Sequence, residues 1–218
     1  MKGLIFDLDG VIVDTARFHF LAWSKTAEEL GYELTEEKNE ELKGVSRIDS
    51  LKKILSWAGT TIEDEQFRKM TAEKNEDYLS YVDKMTTDDI LPGVYDLIAD
   101  LKAKGYPIAL GSASKNAPRI LKKTGMYEMF DAIVDGNSVS KAKPDPEVFL
   151  VAAEAIQVAP ENCVVFEDSS AGVTAAKRAG MIAIGIGDQQ VLGHADFVFP
   201  DLKEMSVNFI ENLENKAK

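Results

Sequence analysis

Short runs of aliphatic and β-branched residues recur along the chain at Gly3–Leu8, Pro107–Ser112, Ala132–Asp135, Cys163–Phe166, Ile182–Ile186 and Phe197–Phe199. Most are continuously apolar rather than alternating, which is the pattern of strands in a parallel sheet covered on both faces. Helical spacing fills the intervals. Val94, Leu97, Ile98 and Leu101 recur three and four apart, with Gly105 placed behind them as a C-cap. Val148, Ala152 and Ala155 mark a second helix, and Ala171–Ala179, stopped by Gly180, a third. Met205, Phe209 and Leu213 predict a C-terminal helix that packs one face on the core. Strands alternating with helices predict an α/β fold with a Rossmann-like, doubly wound parallel sheet.

Residues 15–87 break this rhythm. No strand pattern occurs there, and the apolar positions keep helical spacing: Phe18, Leu21 and Ala22; Leu51, Ile54, Leu55 and Ala58; Phe67 and Met70, with Lys74 following. The expectation is an all-helical cap domain, residues 15–87, inserted into a discontinuous core of residues 1–14 and 88–218. Its connections, near Asp14–Thr15 and Thr86–Pro92, are the candidate hinges.

A chain of 218 residues accommodates one domain plus such an insert. With 25 Lys and Arg against 37 Asp and Glu, the net charge is −12. That balance repels nucleic-acid phosphates and anionic lipid headgroups, so neither nucleic acid nor membrane is an expected partner. The single cysteine, Cys163, excludes an internal disulfide and reads as a small buried hydrophobe. Asp7 and Asp9 interrupt the apolar start, and no run reaches the roughly 18 apolar residues of a membrane span. A reduced, cytoplasmic protein is expected, with a monomer as the default.

The chemistry gathers at strand ends. Asp7 and Asp9 close the first strand, and residues two apart on a strand point to one side. A surface turn at Asp9-Gly10 would look the same in isolation. However, the second strand runs into the polar loop Ser112-Ala113-Ser114-Lys115-Asn116, and the fourth into Glu167-Asp168. Lys143 precedes the helix after the third strand. Ligands of open α/β sheets bind outside the carboxyl ends of the strands, where all of these residues converge. Four carboxyl groups offer hard oxygen ligands that suit Mg²⁺ and a phosphate partner. No P-loop pattern is present, and Gly185-Ile186-Gly187 reads as packing. A carboxylate beside Mg²⁺ can attack phosphorus, while Ser112 and Lys143 hold the transferring oxygens.

In order and separation, Asp7-x-Asp9-Gly10, Ser112, Lys143 and Glu167-Asp168 resemble the four motifs of the haloacid dehalogenase superfamily. The resemblance implies that Asp7 is the nucleophile and becomes phosphorylated, and that Asp9 is the general acid and base. It also implies that Mg²⁺ is held by Asp7, the Asp9 carbonyl and Asp168, with Glu167 nearby, and that the helical insert is a mobile cap. Asp14–Trp23, Leu42–Arg47, Glu73-Lys74-Asn75 and the Ser112–Asn116 loop further resemble the β-phosphoglucomutases within that superfamily. Members of that group interconvert β-D-glucose 1-phosphate and glucose 6-phosphate through β-glucose 1,6-bisphosphate, so sugar phosphates become the expected partners.

A mutase must grip a second phosphate away from the nucleophile. Arg47, in the loop Gly44-Val45-Ser46-Arg47, is the candidate, because guanidinium binds phosphate bidentately. Ser114 and Asn116, next to Ala113, can donate to the same group. His19 lies four residues after Thr15 on one helical face. By resemblance His19 and Lys74 couple cap closure to Asp9, although a satisfied packing histidine would look the same. Trp23 and Val45 exclude water on this reading, and core packing accounts for Trp23 almost as well. His194 reads as a loop residue, and Lys122-Lys123, Glu36-Glu37 and Glu40-Glu41 read as solvated faces. Two alternatives stay open: a hexose or hexitol phosphate phosphatase with the same core, and a non-catalytic sugar-phosphate sensor.

Overall fold

The computed structural model describes residues 2–203 and 205–215, with the side chains of Glu214 and Asn215 left aside. The chain opens with β1 (Gly3–Phe6) and passes into four helices, α1 (Ala16–Glu29), α2 (Glu36–Glu40), α3 (Arg47–Ala58) and α4 (Asp64–Val82). It then alternates through α5 (Val94–Ala103), β2 (Ile108–Gly111), α6 (Ala117–Lys123), β3 (Ala132–Val134), α7 (Glu147–Ala155), β4 (Cys163–Glu167) and α8 (Ser170–Arg178). β5 (Ile182–Ile186), α9 (Gln189–Leu192), β6 (Phe197–Phe199) and α10 (Val207–Asn215) complete it. All strand pairs are parallel, in the order β3-β2-β1-β4-β5-β6. This is the doubly wound α/β sheet that the apolar runs predict.

Strand periodicity divides the core. Leu4 and Phe6 of β1 join Phe166 and Ile98 on one face, while Ile5 joins Val165, Phe149 and Val173 on the other. Phe6 and Phe166 stack across the β1–β4 pair with centroids 4.2 Å apart. The four inserted helices carry an apolar cluster of their own, built on Trp23, Leu34, Leu42, Leu51, Ile54 and Met70. Their two connections to the sheet run side by side. Val13 bridges Ile90, Leu91 donates its N–H to the Ile12 carbonyl at 2.9 Å, and Asp14 donates to Asp89 at 3.2 Å.

Several expectations need correction. β1 stops at Phe6, because the Leu8 carbonyl accepts from Ile12 and Val13 at 2.9 and 3.1 Å and curls the chain out of the strand. Asp7 and Asp9 therefore belong to a tight loop above the sheet and are not strand residues. β2 likewise stops at Gly111, one residue before Ser112, whereas β4 continues to Glu167. Met205 precedes α10, held by a turn in which it donates to Leu202 at 3.2 Å, although its side chain is buried as expected. Leu21 is 49% exposed, because Ala22, Trp23, Thr26 and Ala27 define the buried face of α1.

Because the insert has a separate apolar cluster, damage there should remain local. Ile54→Ala, which opens a cavity of the kind that costs about 2–5 kcal/mol, should accelerate hydrogen exchange in residues 16–82 while β1 and β4 amides stay protected. Uniform acceleration across the sheet would instead reveal one cooperative unit.

Candidate active site

The register of β1 on β4 pairs Phe6 with Phe166, so the next residues, Asp7 and Glu167, emerge side by side. Asp7, Glu167 and Asp168 each bring a carboxylate oxygen within 4.8 Å of the others. Lys143, just before α7, enters this cluster with a fully buried side chain. Its Nζ lies 2.7 Å from Asp7 Oδ1 and 2.8 Å from Glu167 Oε2. Burial pulls the ammonium pKa down, but the Asp7 and Glu167 carboxylates outweigh burial and raise it, so Lys143 stays charged.

Asp7 and Glu167 share that one ammonium, while Asp168 lies 3.8 Å from Lys43 Nζ. Burial, then the Glu167 charge, push the Asp7 carboxyl up to about 8. Burial, Glu167 and Asp7 together hold Asp168 well above the ordinary carboxylate range. Glu167 is fully engaged, since Ser169 donates both its hydroxyl (2.6 Å) and its N–H (3.1 Å) to Oε1, and Lys143 takes Oε2. Asp7 and Asp168 thus hold the uncommitted oxygens. A buried, all-oxygen donor set with excess negative charge fits a hard divalent cation. Gly10 makes room for it: its φ is +78°, and a Cβ there would strike the Asp168 carboxylate.

Asp9 is governed by the insert. Thr15 is the N-cap of α1, yet its hydroxyl makes no cap bond and donates instead to Asp9 Oδ1. His19 Nε2 stands 3.8 Å from the same oxygen, and His19 Nδ1 accepts from Lys74 Nζ at 2.9 Å. Burial, then Lys74 and Arg47, keep His19 well below its ordinary pKa, so it is neutral. Lys74 is buried on α4 with its Nζ 4.6 Å from the Trp23 ring centroid. Burial, then Arg47, lower its pKa to about 7. Burial also raises the Asp9 carboxyl, although the Thr15 bond opposes it.

One cavity of about 460 Å³ collects nearly every residue expected from sequence. Asp7, Asp9, Lys143 and Asp168 form the sheet side, with Ala113, Ser114 and Asn116 from the β2–α6 loop. The insert contributes His19, Trp23, Lys74 and the loop Gly44-Val45-Ser46-Arg47. Thr15, Ser112 and Glu167 are buried one layer behind the wall, each bonded to a lining residue: Thr15 to Asp9, Ser112 Oγ to the Ser114 N–H at 3.1 Å, and Glu167 to Lys143. Gly44 lets the insert touch the sheet, since a Cβ there would lie 2.5 Å from Ser169 Oγ. Asn116 also reaches across, donating to Asn75 Oδ1 at 3.0 Å. Arg47, at the first turn of α3, forms no ion pair among the described residues.

A profile of haloacid dehalogenase-like hydrolases matches residues 1–180. The chain belongs to the haloacid dehalogenase-like hydrolases. A β-phosphoglucomutase of Bacillus subtilis is 42% identical over 96% of this chain and 94% of its own. A phosphorylated carbohydrates phosphatase of Thermotoga maritima is 34% identical over 83% of this chain and 82% of its own. The crystal structure of a Clostridium difficile β-phosphoglucomutase superposes with a TM-score of 0.95 at 39% identity, covering 100% of this chain and 98% of that one. Within this haloacid dehalogenase-like fold, the acidic cluster sits at the carboxyl ends of β1 and β4, where the order of the sheet turns from descending to ascending.

Sequence reasoning missed Tyr78 and Lys43, which also line the cavity. Tyr78 follows Lys74 by four residues and so shares its helical face, a signal that was available. Lys43 pairs with Glu40 at 2.8 Å and lies 3.8 Å from Asp168, a position no local pattern announces. Among the described residues no helix is long and apolar enough to cross a membrane.

The raised Asp7 carboxyl carries a pH signature. It keeps its proton up to about pH 8 in the native chain, against 3.8 ordinarily, so the native state binds more protons between those values. In cation-free protein this group's stabilising contribution is complete at low pH and is lost as pH rises through that window. A divalent cation competes with those protons. The gain in Tm it confers should therefore be larger at about pH 8 than at about pH 5 by scanning calorimetry. Equal gains at both would place cation binding elsewhere.

Proposed function

We propose that the chain is a β-phosphoglucomutase, interconverting β-D-glucose 1-phosphate and glucose 6-phosphate through phosphorylated Asp7 and β-glucose 1,6-bisphosphate. The observation that carries this reading is a single cavity lined both by the carboxylate cluster with Lys143 and by Arg47. The cluster comes from the sheet side, and Arg47, which has no carboxylate partner among the described residues, comes from the insert. The Bacillus subtilis relative, by its name, supports the same activity.

In this proposal residues 15–87 cap a core of residues 1–14 and 88–218. Mg²⁺ is the proposed cation, with Asp7, Asp168 and the Asp9 carbonyl as its ligands and Glu167 bracing them; when bound it offsets the charge on the attacking and transferring oxygens. Phosphorylated Asp7 passes its phosphoryl group to a sugar hydroxyl whose proton Asp9 accepts. Lys143, with Ser112 fixing the adjoining loop, holds the transferring oxygens. Arg47, Ser114 and Asn116 hold the distal phosphate, and Gly44, Val45 and Ser46 close over the sugar. The bisphosphate then turns end for end, Asp7 takes the other phosphate, and Asp9 returns the proton to the departing oxygen. Thr15, His19 and Lys74 tie Asp9 to the insert, so the proton carrier is set when the sugar is enclosed. Trp23 and Val45 keep water from the phosphorylated carboxylate. Sugar phosphates are the proposed partners and the cytoplasm the proposed compartment.

A phosphatase would use the same core with water as acceptor, and the Thermotoga maritima relative makes that the competing reading. Offering α- and β-glucose 1-phosphate separately, with Mg²⁺ and a trace of bisphosphate, tells them apart. Glucose 6-phosphate should form from the β anomer, and dominant release of inorganic phosphate would overturn the mutase reading. Arg47→Ala should lower mutase turnover by roughly 10²-fold, the scale of a charge-assisted phosphate contact, and lower hydrolysis of a small phosphoester far less. Equal losses on both would remove Arg47 from the distal phosphate.

A further inference from the structure

Tyr78 lies on α4, 1% exposed, with its ring fixed from two sides. The His19 ring centroid is 4.2 Å away, and Lys74 Nζ stands 4.9 Å from the Tyr78 centroid. Its hydroxyl is buried close to Asp9 and Thr15, yet among the described residues no contact it makes has hydrogen-bond geometry. An unpaired buried hydroxyl is costly, and this one faces the cavity wall, so a state in which it is satisfied would repay its retention. The neighbours leave few acceptors. His19 Nδ1 is taken by Lys74, whose Nζ stands over the face of the Tyr78 ring. The Thr15 hydroxyl gives its hydrogen to Asp9 and keeps its lone pairs, but it is a neutral acceptor and weaker than a carboxylate. The carboxylate of Asp9 is the strong acceptor that remains, and hydrogen bonds at such sites often close only when substrate binds.

We propose that Tyr78 is a positioning residue for Asp9, its hydroxyl donating to the Asp9 carboxylate in the substrate complex and turning the other oxygen toward the sugar. Thr15 and Tyr78 then fix the carboxylate from two sides. This inference rests on Asp9 carrying the proton in the proposed reaction.

Tyr78→Phe deletes the hydroxyl and keeps the ring. The test compares phosphorylation of Asp7 by two donors. β-Glucose 1,6-bisphosphate must have its departing sugar oxygen protonated, whereas the acetate of acetyl phosphate leaves without a proton. With the bisphosphate, Tyr78→Phe should lower kcat roughly 10- to 100-fold and change KM by less than about threefold. With acetyl phosphate the loss should stay below about twofold. Tm should not fall, because the hydroxyl closes no hydrogen bond among the described residues of the free protein. Equal losses with both donors, or a loss with neither, would overturn the proposal. Asp9→Asn, assayed in parallel, keeps the two levels apart. If it shows the donor dependence and Tyr78→Phe does not, only the Tyr78 inference falls; if it shows none, the acid–base reading falls and takes the inference with it.

Discussion

The buried contact of Lys143 with Asp7 and Glu167 is the interaction on which the site depends. Strand pairing forces the two carboxylates together, because the β1–β4 register that stacks Phe6 on Phe166 brings Asp7 beside Glu167. Like charges in a buried strand end repel, and nothing in β1 or β4 relieves them. The ammonium arrives from a third segment, the loop before α7, and also sits 4.8 Å from the centre of the Phe149 ring. Removing one member of such a buried set leaves an uncompensated charge, at about 3–5 kcal/mol, so sheet and site are stable only together. Lys143 does not complete the neutralisation, and the raised carboxyls of Asp7 and Asp168 record the remainder. A fold that satisfied all of its charges would have no reason to take a cation there.

The same economy of charge shapes the cavity. A chain of net charge −12 lines one hollow with Lys43, Arg47, Lys74, Lys115 and Lys143. An acidic exterior around a cationic hollow favours small anions inside and discourages large polyanions outside. Two of these cations are themselves held under tension. Lys74 is buried against neutral His19 and two aromatic rings, with its pKa near 7, and Arg47 has no counterion among the described residues. Both are conditions that an anionic ligand relieves.

How much of this was legible depended on range. The six strands and the inserted helices followed from local periodicity, since each element buries a face set by its own sequence. The acidic cluster was legible because topology sends the ends of parallel strands to one edge. What local pattern could not supply was the curl at Leu8, which turns Asp7 and Asp9 from strand residues into loop residues, or the turn that leaves Met205 outside α10. Nor could it show that Thr15 forgoes capping α1 to bond Asp9, or that Thr15, Ser112 and Glu167 stand behind the wall. Those are consequences of contacts between segments far apart in the chain. Trp23, left between core and cavity by sequence, serves both: it belongs to the insert's apolar cluster and presents its ring to Lys74.

On the proposed reading, the choice between sugar and water is made far from phosphorus. Water can reach an aspartyl phosphate as readily as a hydroxyl can, and the core alone has no means of refusing it. A sugar phosphate differs from water in its distal phosphate, which in this proposal Arg47, Ser114 and Asn116 grip. Binding energy gained there can hold the insert against the sheet at Gly44–Ser169 and Asn75–Asn116. With the insert held there, Thr15 and His19 stay beside Asp9 and Tyr78 is placed to donate to it. The proton carrier is thus assembled by a contact that water cannot make, and that dependence gives a core shared with phosphatases the selectivity of a mutase.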